Sequence, residues 1–238
     1  MEKNFKLETD TIWNFEERGN WCTHRGDYPG NWSPYVPKNI ILRYSKEGEF
    51  VLDQFVGSGT TLIEACLLNR KIIGCDINDR ALNICSDRIK NLSKKDNVFL
   101  KKRDARNLYD IKDESIDLIC THPPYANIIK YSKNIDGDIS LLDIEEFYEA
   151  MKDVAKECYR VLKKEKYCSI LMGDTRKRGF IIPLAFNVLN IFMNSGFKLK
   201  EIIIKQQHNC KSTEYWRDIS IKRNFYLIAH EYLFVFKK

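Results

Sequence analysis

With 238 residues, 44% of them hydrophobic and 30% charged, the chain is long enough for one domain and too rich in core-forming residues to be a disordered tail. Lysine and arginine outnumber aspartate and glutamate by 39 to 33, a formal charge of +6 that favours a polyanionic partner without requiring one. The opening MEKNFKLETD is too polar for a signal peptide, and no apolar stretch approaches the length of a membrane span, so no membrane partner is expected.

The eight cysteines form no C-x-x-C pair. Cys66, Cys75, Cys120 and Cys168 lie inside apolar runs, where a thiol behaves as a small hydrophobe. This pattern is neither a disulfide framework nor a metal knuckle; it predicts no metal site and suits a reducing cytoplasm.

In chain order, residues 1–49 are rich in Trp, Gly, Pro and Asn and predict loops with one short helix near 38–44. From residue 50 onward, apolar runs at 50–55, 71–77, 98–101, 116–120, 167–173, 197–205 and 225–236 predict seven strands. Helix-period segments at 60–69, 79–92, 143–164 and 183–195 separate most of them. The third is the clearest, with Ile144, Phe147, Met151, Val154, Cys158 and Val161 recurring at steps of three and four. Strand–helix alternation of this kind predicts an α/β domain with a mostly parallel, doubly wound sheet. The last two strands follow one another without a helix pattern and predict a C-terminal antiparallel hairpin bridged by 206–224.

The stretch VLDQFVGSGTT, residues 51–61, combines a strand end, a glycine turn and a helix start. Gly57 and Gly59 permit a tight turn and close approach of a ligand, and Thr60 or Thr61 is suited to cap the helix that follows. A dinucleotide fingerprint would need a glycine where Leu62 stands, and a P-loop would need a lysine that is absent. Asp53, just before the turn, repels phosphate but accepts from an amino group or hydroxyl. The loop therefore fits a cationic cofactor without phosphate, S-adenosylmethionine. Asp76 ends the second strand, where an acid commonly holds a ribose diol, and Asp104 follows the third, suited to accept from an adenine amino group. A strand-end aspartate is otherwise a helix cap or a turn residue; three such acids after three successive strands favour the cofactor.

The fourth strand ends in THPPY, residues 121–125. Two prolines surrender two backbone donors and hold the turn rigid. In a parallel sheet this turn lies beside the cofactor, where Tyr125 can stack on a planar group and carbonyls can accept from an exocyclic amine. The chain has no Pro-Cys dipeptide, which argues against a cysteine nucleophile acting on a ring carbon.

VLDQFVGSGTT followed by THPPY resembles the DNA amino-methyltransferases that act on N4 of cytosine or N6 of adenine, which use D-P-F-x-G-S-G-T at the cofactor and [DNS]-P-P-[YFW] at the target base. The resemblance runs from about residue 30 to the C-terminus, including NWSPYVPKNIILRYS, which is similar to the family's short helix before the first strand. It implies a Rossmann-like S-adenosylmethionine-dependent methyltransferase fold in one domain over 1–238, with 1–49 as an extension and 50–238 as the core. It further implies that Asp53, Phe55, Gly57, Gly59, Thr60 and Asp76 surround the cofactor, and that His122, Pro123, Pro124 and Tyr125 form the catalytic turn.

Two positions depart from the family pattern. Gln54 replaces the usual proline, and His122 stands where the family has Asp, Asn or Ser. His122 reads either as a turn residue closing the strand end or as a neutral imidazole that accepts an amino hydrogen and loses activity as pH falls through its pKa.

Three segments are suited to reading a nucleic acid. Residues 126–138 carry Asn127, Lys130, Tyr131 and Lys133; 205–224 carries Gln207, His208, Lys211, Trp216 and Arg217; and 13–35 carries Arg18, Trp21, His24 and Arg25. The second is the strongest, because so long a connection is usually functional or disordered. The reading is a site-specific DNA methyltransferase, cytosine N4 ahead of adenine N6, compatible with a homodimer and with a cognate restriction endonuclease. Two others compete: methylation of an amine in RNA or of a protein glutamine, and a non-catalytic nucleic-acid-binding module.

Overall fold

The computed structural model describes residues 5–208 and 213–238. In chain order its elements are β1 (Ile12–Trp13), α1 (Tyr35–Tyr44), β2 (Phe50–Asp53), α2 (Thr60–Leu67), β3 (Lys71–Asp76), α3 (Asp79–Ile89), β4 (Val98–Lys102) and β5 (Ile116–Thr121). There follow α4 (Ile144–Val161), β6 (Leu162–Met172), β7 (Thr175–Lys177), β8 (Phe180–Ile182), α5 (Leu184–Asn194), β9 (Lys198–Gln206), α6 (Thr213–Lys222) and β10 (His230–Lys237).

One sheet carries the order β1-β9-β10-β6-β5-β2-β3-β4. Strands β6, β5, β2, β3 and β4 run parallel, while β10 lies antiparallel between β6 and β9. The expected seven-strand frame and its C-terminal antiparallel pair are present. The short β1 adds an eighth strand, parallel to β9. Alternating side chains feed two faces, as the period of a strand requires. Leu52, Ile119, Phe234 and Phe236 enter the layer under α4 and α5; Val51, Leu118, Leu233 and Val235 enter the layer under α1 and α2.

Helix α4 carries the expected stripe: Phe147, Met151, Val154, Cys158 and Val161 are fully buried. Each large apolar side chain of this kind contributes roughly 1.5–3 kcal/mol. Its start is held by a capping box between Asp143 and Glu146. The sequence pattern overruns its end, because β6 begins directly at Leu162. Three further expectations shift. Helix α1 starts at Tyr35, ahead of 38; β10 starts at His230, so 225–229 lies outside the sheet; and the connection 206–224 contains helix α6. A small antiparallel hairpin, β7 with β8, was also not visible in the sequence pattern.

Because β2 pairs with β3 on one side and β5 on the other, the chain direction of the crossovers reverses there. The carboxyl ends of β2 and β5 open a crevice at that point, where open α/β sheets bind ligands. Among the described residues the cysteines are free, and no helix is long and apolar enough to cross a membrane.

Candidate active site

The glycine loop turns from β2 into α2. Gly57 (φ +52°) and Gly59 (φ +85°) both use the left-handed region, and a Cβ at Gly59 would stand 3.0 Å from the Cys85 sulfur. Gly59 itself is the N-cap of α2, so neither Thr60 nor Thr61 caps the helix as expected. Thr60 instead turns a buried hydroxyl without a hydrogen-bond partner toward the wall of the crevice.

Asp53 is buried at the end of β2 and accepts from the Thr121 hydroxyl (2.7 Å) and the Phe55 N–H (3.1 Å). Asp76, at the end of β3, accepts from the N–H groups of Gly57 (3.0 Å) and Asn78 (2.9 Å). Burial pushes both carboxyls up to about 6 against these hydrogen bonds. Asp104 also lines the crevice, and Arg106 holds its carboxylate at 2.6 Å.

The opposite wall comes from the N-terminal segment. Tyr28 stacks on Tyr131 (centroids 5.9 Å apart), and Trp32 stacks on the His122 ring (5.3 Å). Trp21 and His24, expected as substrate readers, instead turn inward, each 2.7 Å from one oxygen of the buried Glu64 on α2. The crevice is partly open to solvent. Asp53, Phe55, Gly57, Thr60, Asp76 and Asp104 all line it, while Gly59 packs behind the loop against α3. A buried and a half-buried carboxylate without a cationic partner, beside a loop without lysine, fit S-adenosylmethionine, whose amino and sulfonium groups supply the missing charge.

After β5 the chain enters the Pro-Pro-Tyr turn, which closes with Ala126 at φ +48°, a left-handed conformation that costs an alanine roughly 1–2 kcal/mol. His122 Nε2 lies 2.7 Å from the Tyr125 hydroxyl, which donates to Glu231 Oε1 at 2.9 Å. The other Glu231 oxygen accepts from the Lys205 ammonium at 2.8 Å. Burial pushes the His122 imidazole down to about 4, which keeps it neutral near pH 7. For Glu231, burial works upward but is outweighed by Lys205, His122 and the Tyr125 hydroxyl, so the carboxyl titrates below its ordinary range.

A second crevice, also partly open to solvent, lies on the far side of the turn, lined by His122, Pro123, Pro124, Tyr125, Arg176, Gln207 and Glu231. It shares Gly30, His122, Pro124 and Tyr131 with the first, so the two meet at His122 and Pro124.

Of the expected substrate readers, Gln207 reaches the second crevice, and Asn127 lines a neighbouring groove beside α4. Lys130 is solvent-exposed, as are Trp216 and Arg217 on α6, and none of the three lines a crevice. His208 bonds Asn14 at the surface, and Lys211 lies outside the described residues. Sequence reasoning misses Glu231, Arg176 and the aromatic wall of Tyr28 and Trp32. The one available signal for Glu231 is an acid at the head of the apolar run HEYLFVF. Arg176 bridges β7 to the segment after α6, lying over the Phe225 ring (5.2 Å) and donating to the Tyr226 carbonyl (3.1 Å).

The chain is 36% identical over 132 residues to the tRNA (guanine(10)-N2)-dimethyltransferase of Methanocaldococcus jannaschii, covering 53% of this chain and 36% of that protein. It is 29% identical over 120 residues to the type II methyltransferase M.MjaVI of the same organism, covering 50% of this chain and 60% of that one. Over 64 residues it is 42% identical to the type II methyltransferase M2.DpnII of Streptococcus pneumoniae, covering 27% of this chain and 24% of the relative. The chain thus spans less than two thirds of the length of each of these curated relatives. Among solved structures, TrmN from Thermus thermophilus superposes with a TM-score of 0.60 at 17% identity, covering 88% of this chain and 50% of that one. An S-adenosylmethionine-dependent methyltransferase from Methanosarcina mazei gives 0.57 at 16%, covering 83% and 96%. A family profile of DNA methylases of the N6/N4 type matches residues 2–87 and 116–238, and with the glycine loop, the two acids and the Pro-Pro-Tyr turn in place, the chain belongs to that DNA methylase family.

Proposed function

We propose that this chain methylates the exocyclic amine of a base flipped out of DNA, cytosine N4 ahead of adenine N6. The observation that carries the reading is the meeting of the two crevices at His122 and Pro124. One offers two carboxylates without a cationic partner to a cation; the other offers an aromatic ring, a neutral imidazole and a turn lacking two backbone donors to a planar base. When bound, S-adenosylmethionine supplies an electrophilic methyl group.

The chain's own residues do the rest. Asp53 and Asp76 attract and orient the cationic cofactor, with Phe55 and Val56 as apolar walls. A nucleobase amine is a poor nucleophile because its lone pair is delocalised into the ring. Acceptors in the His122-Pro-Pro segment draw on its hydrogens, let the nitrogen pyramidalise and aim it at the methyl carbon. Tyr125 flanks the base, and the rigid prolines keep these groups in register. Thr121-His122 is nearer to the Thr-Ser-Pro-Pro-Tyr form of cytosine enzymes than to the Asp-Pro-Pro-Tyr form of adenine enzymes.

A second reading is favoured by the similarity to a tRNA guanine-N2 methyltransferase: the same site would act on an amine in RNA. A cognate restriction endonuclease and a homodimer belong to the DNA reading, the former supported by the similarity to type II methyltransferases. With free cysteines throughout the described residues, we place the activity in the cytoplasm. The test is incubation with methyl-labelled cofactor and, separately, duplex DNA, single-stranded DNA and tRNA, followed by nucleoside mass spectrometry. N4-methylcytosine is the expected product. N6-methyladenine or N2-methylguanine would replace the substrate assignment, and no labelled nucleoside would overturn the reading.

A further inference from the structure

Four side chains from four parts of the fold form one line: Lys205 on β9, Glu231 on β10, Tyr125 in the Pro-Pro-Tyr turn and His122 at the end of β5. The contacts are 2.8, 2.9 and 2.7 Å. Lysine can only donate and an ionised carboxylate can only accept. The Tyr125 proton therefore goes to Glu231, and the Tyr125 oxygen is left to accept. The only hydrogen available to it from His122 is one on Nε2. A neutral imidazole carries a single proton, so Nδ1 is bare. No described residue donates to Nδ1, and His122 lines both crevices.

We propose that Glu231, anchored by Lys205, is a positioning residue that acts through Tyr125 to hold His122 in the tautomer whose Nδ1 is a hydrogen-bond acceptor for the target amine. Its consequence for catalysis rests on the amino-methyl-transfer reading above; the tautomer itself does not. The opposite tautomer would point an N–H at an amine that already bears only donors. Methylation leaves one proton in excess on the amine nitrogen. Nδ1 takes that proton, the imidazole becomes an imidazolium protonated on both nitrogens, and the Glu231 carboxylate across the phenol offsets its charge. The proton then passes from Nδ1 to solvent. A carboxylate, a neutral bridging group and an imidazole in line repeat the division of labour of an acid that orients a histidine.

A merely structural Lys205–Glu231 pair would tie β9 to β10 and leave the His122 proton unconstrained. The two roles separate in Glu231→Gln. Lys205 compels the introduced amide to turn its carbonyl toward the ammonium, so the amide NH₂ faces Tyr125. The phenol then accepts from the amide and turns its own proton to His122 Nε2. His122 must carry its proton on Nδ1.

The experiment is long-range ¹H–¹⁵N correlation on histidine-labelled protein near pH 7, with His122→Asn used to assign its signal among the four histidines. In the native chain the expected result is a pyridine-like Nδ1 and a pyrrole-like Nε2; in Glu231→Gln the two exchange. In Tyr125→Phe the signals average between the forms. A native chain protonated on Nδ1, or a tautomer indifferent to Glu231→Gln in a folded protein, would overturn the proposal. If transfer to a nucleic acid is found, Glu231→Gln lowers kcat by on the order of a hundredfold with KM for the cofactor unchanged. If the tautomer exchanges as expected but no nucleic acid is methylated, the relay stands and the substrate reading fails.

Discussion

A Cβ at Gly173 would come within 2.7 Å of Cε2 of the Tyr125 ring, so the aromatic wall of the second crevice exists only because the residue after β6 has no side chain. Gly173→Ala must push the ring by several tenths of an ångström or more, stretching its contacts to His122 and Glu231 together. Misplacing a catalytic group by about 1 Å can cost on the order of a hundredfold in rate. The expected outcome is a fall in kcat of at least about tenfold, with a loss of only about 1 kcal/mol of stability from the overpacking. Steady-state kinetics alongside urea unfolding separates the two; undiminished kcat would mean that the ring position is not critical.

The two uncompensated carboxylates make cofactor affinity depend on pH. Asp53 and Asp76 are each pushed up to about 6 by burial, and a cationic ligand binds their ionised forms. Each is about nine-tenths protonated at pH 5 and almost fully ionised at pH 7.5. Affinity therefore rises with pH through this window, and calorimetry at pH 5 should give a Kd weaker by about tenfold or more than at pH 7.5. Asp53→Asn and Asp76→Asn should each weaken binding and flatten that dependence. A Kd constant across the window would show that the ligand's charge is balanced elsewhere.

Turnover at saturating cofactor should follow a different profile. The ordinary pKa of histidine places a loss of activity near 6.5, but burial pushes His122 down to about 4. The imidazole stays neutral, and kcat should be flat from pH 8 to about pH 5. His122→Ala should lower kcat by on the order of a hundredfold. Full activity in His122→Ala would leave the chemistry to the backbone of the turn alone.

What can be read from a linear chain here follows the range of the interaction. The parallel core is legible because each strand announces itself by a local apolar run and each crossover by a local helix period, as at Phe147, Met151 and Val154. Asp53, Asp76 and the Pro-Pro-Tyr turn are legible because a glycine loop and two prolines are local signals. Glu231 and Lys205 are not, since they meet His122 only through the pairing of β10 with β9 and β6. Trp21 and His24 mislead for the same reason: polar-tipped aromatics in a loop look like substrate readers until Glu64, on a distant helix, is seen to bind both.

The rim of the second crevice should govern nucleic-acid affinity rather than chemistry. Phe180 on β8 is 78% exposed and Tyr226 is 91% exposed, and Arg176 joins their two segments. Exposed aromatics beside cations are suited to stacking on unpaired bases. Phe180→Ala and Tyr226→Ala should each weaken binding by about 1–3 kcal/mol with kcat at saturation nearly unchanged. Arg176→Ala should weaken binding and reduce its salt dependence. Fluorescence anisotropy over a salt series reads both effects, and unaltered Kd values in all three variants would move the contact surface to another face.

The N-terminal wall of the cofactor crevice depends on a contact remote from it. Trp21 Nε1 and His24 Nε2 both donate to the same oxygen of Glu64, whose side chain is 1% exposed. A few residues further on, Tyr28 and Trp32 line the crevice, and Arg88 on α3 holds Asp27 between. Glu64→Ala would strip the acceptor from the buried His24 and the half-buried Trp21, and a stranded buried donor costs about 1–3 kcal/mol. The variant should therefore lose about 1–3 kcal/mol in urea unfolding, water entering the gap serving the more open Trp21. The wall is tethered at both Glu64 and Arg88, so loosening one tether should also weaken cofactor binding, by a smaller factor than Asp76→Asn. Arg88→Ala combined with Glu64→Ala should release the segment and weaken binding further than either change alone. Native cofactor affinity in the double variant, in a protein still folded by circular dichroism, would show that Tyr28 and Trp32 do not touch the ligand.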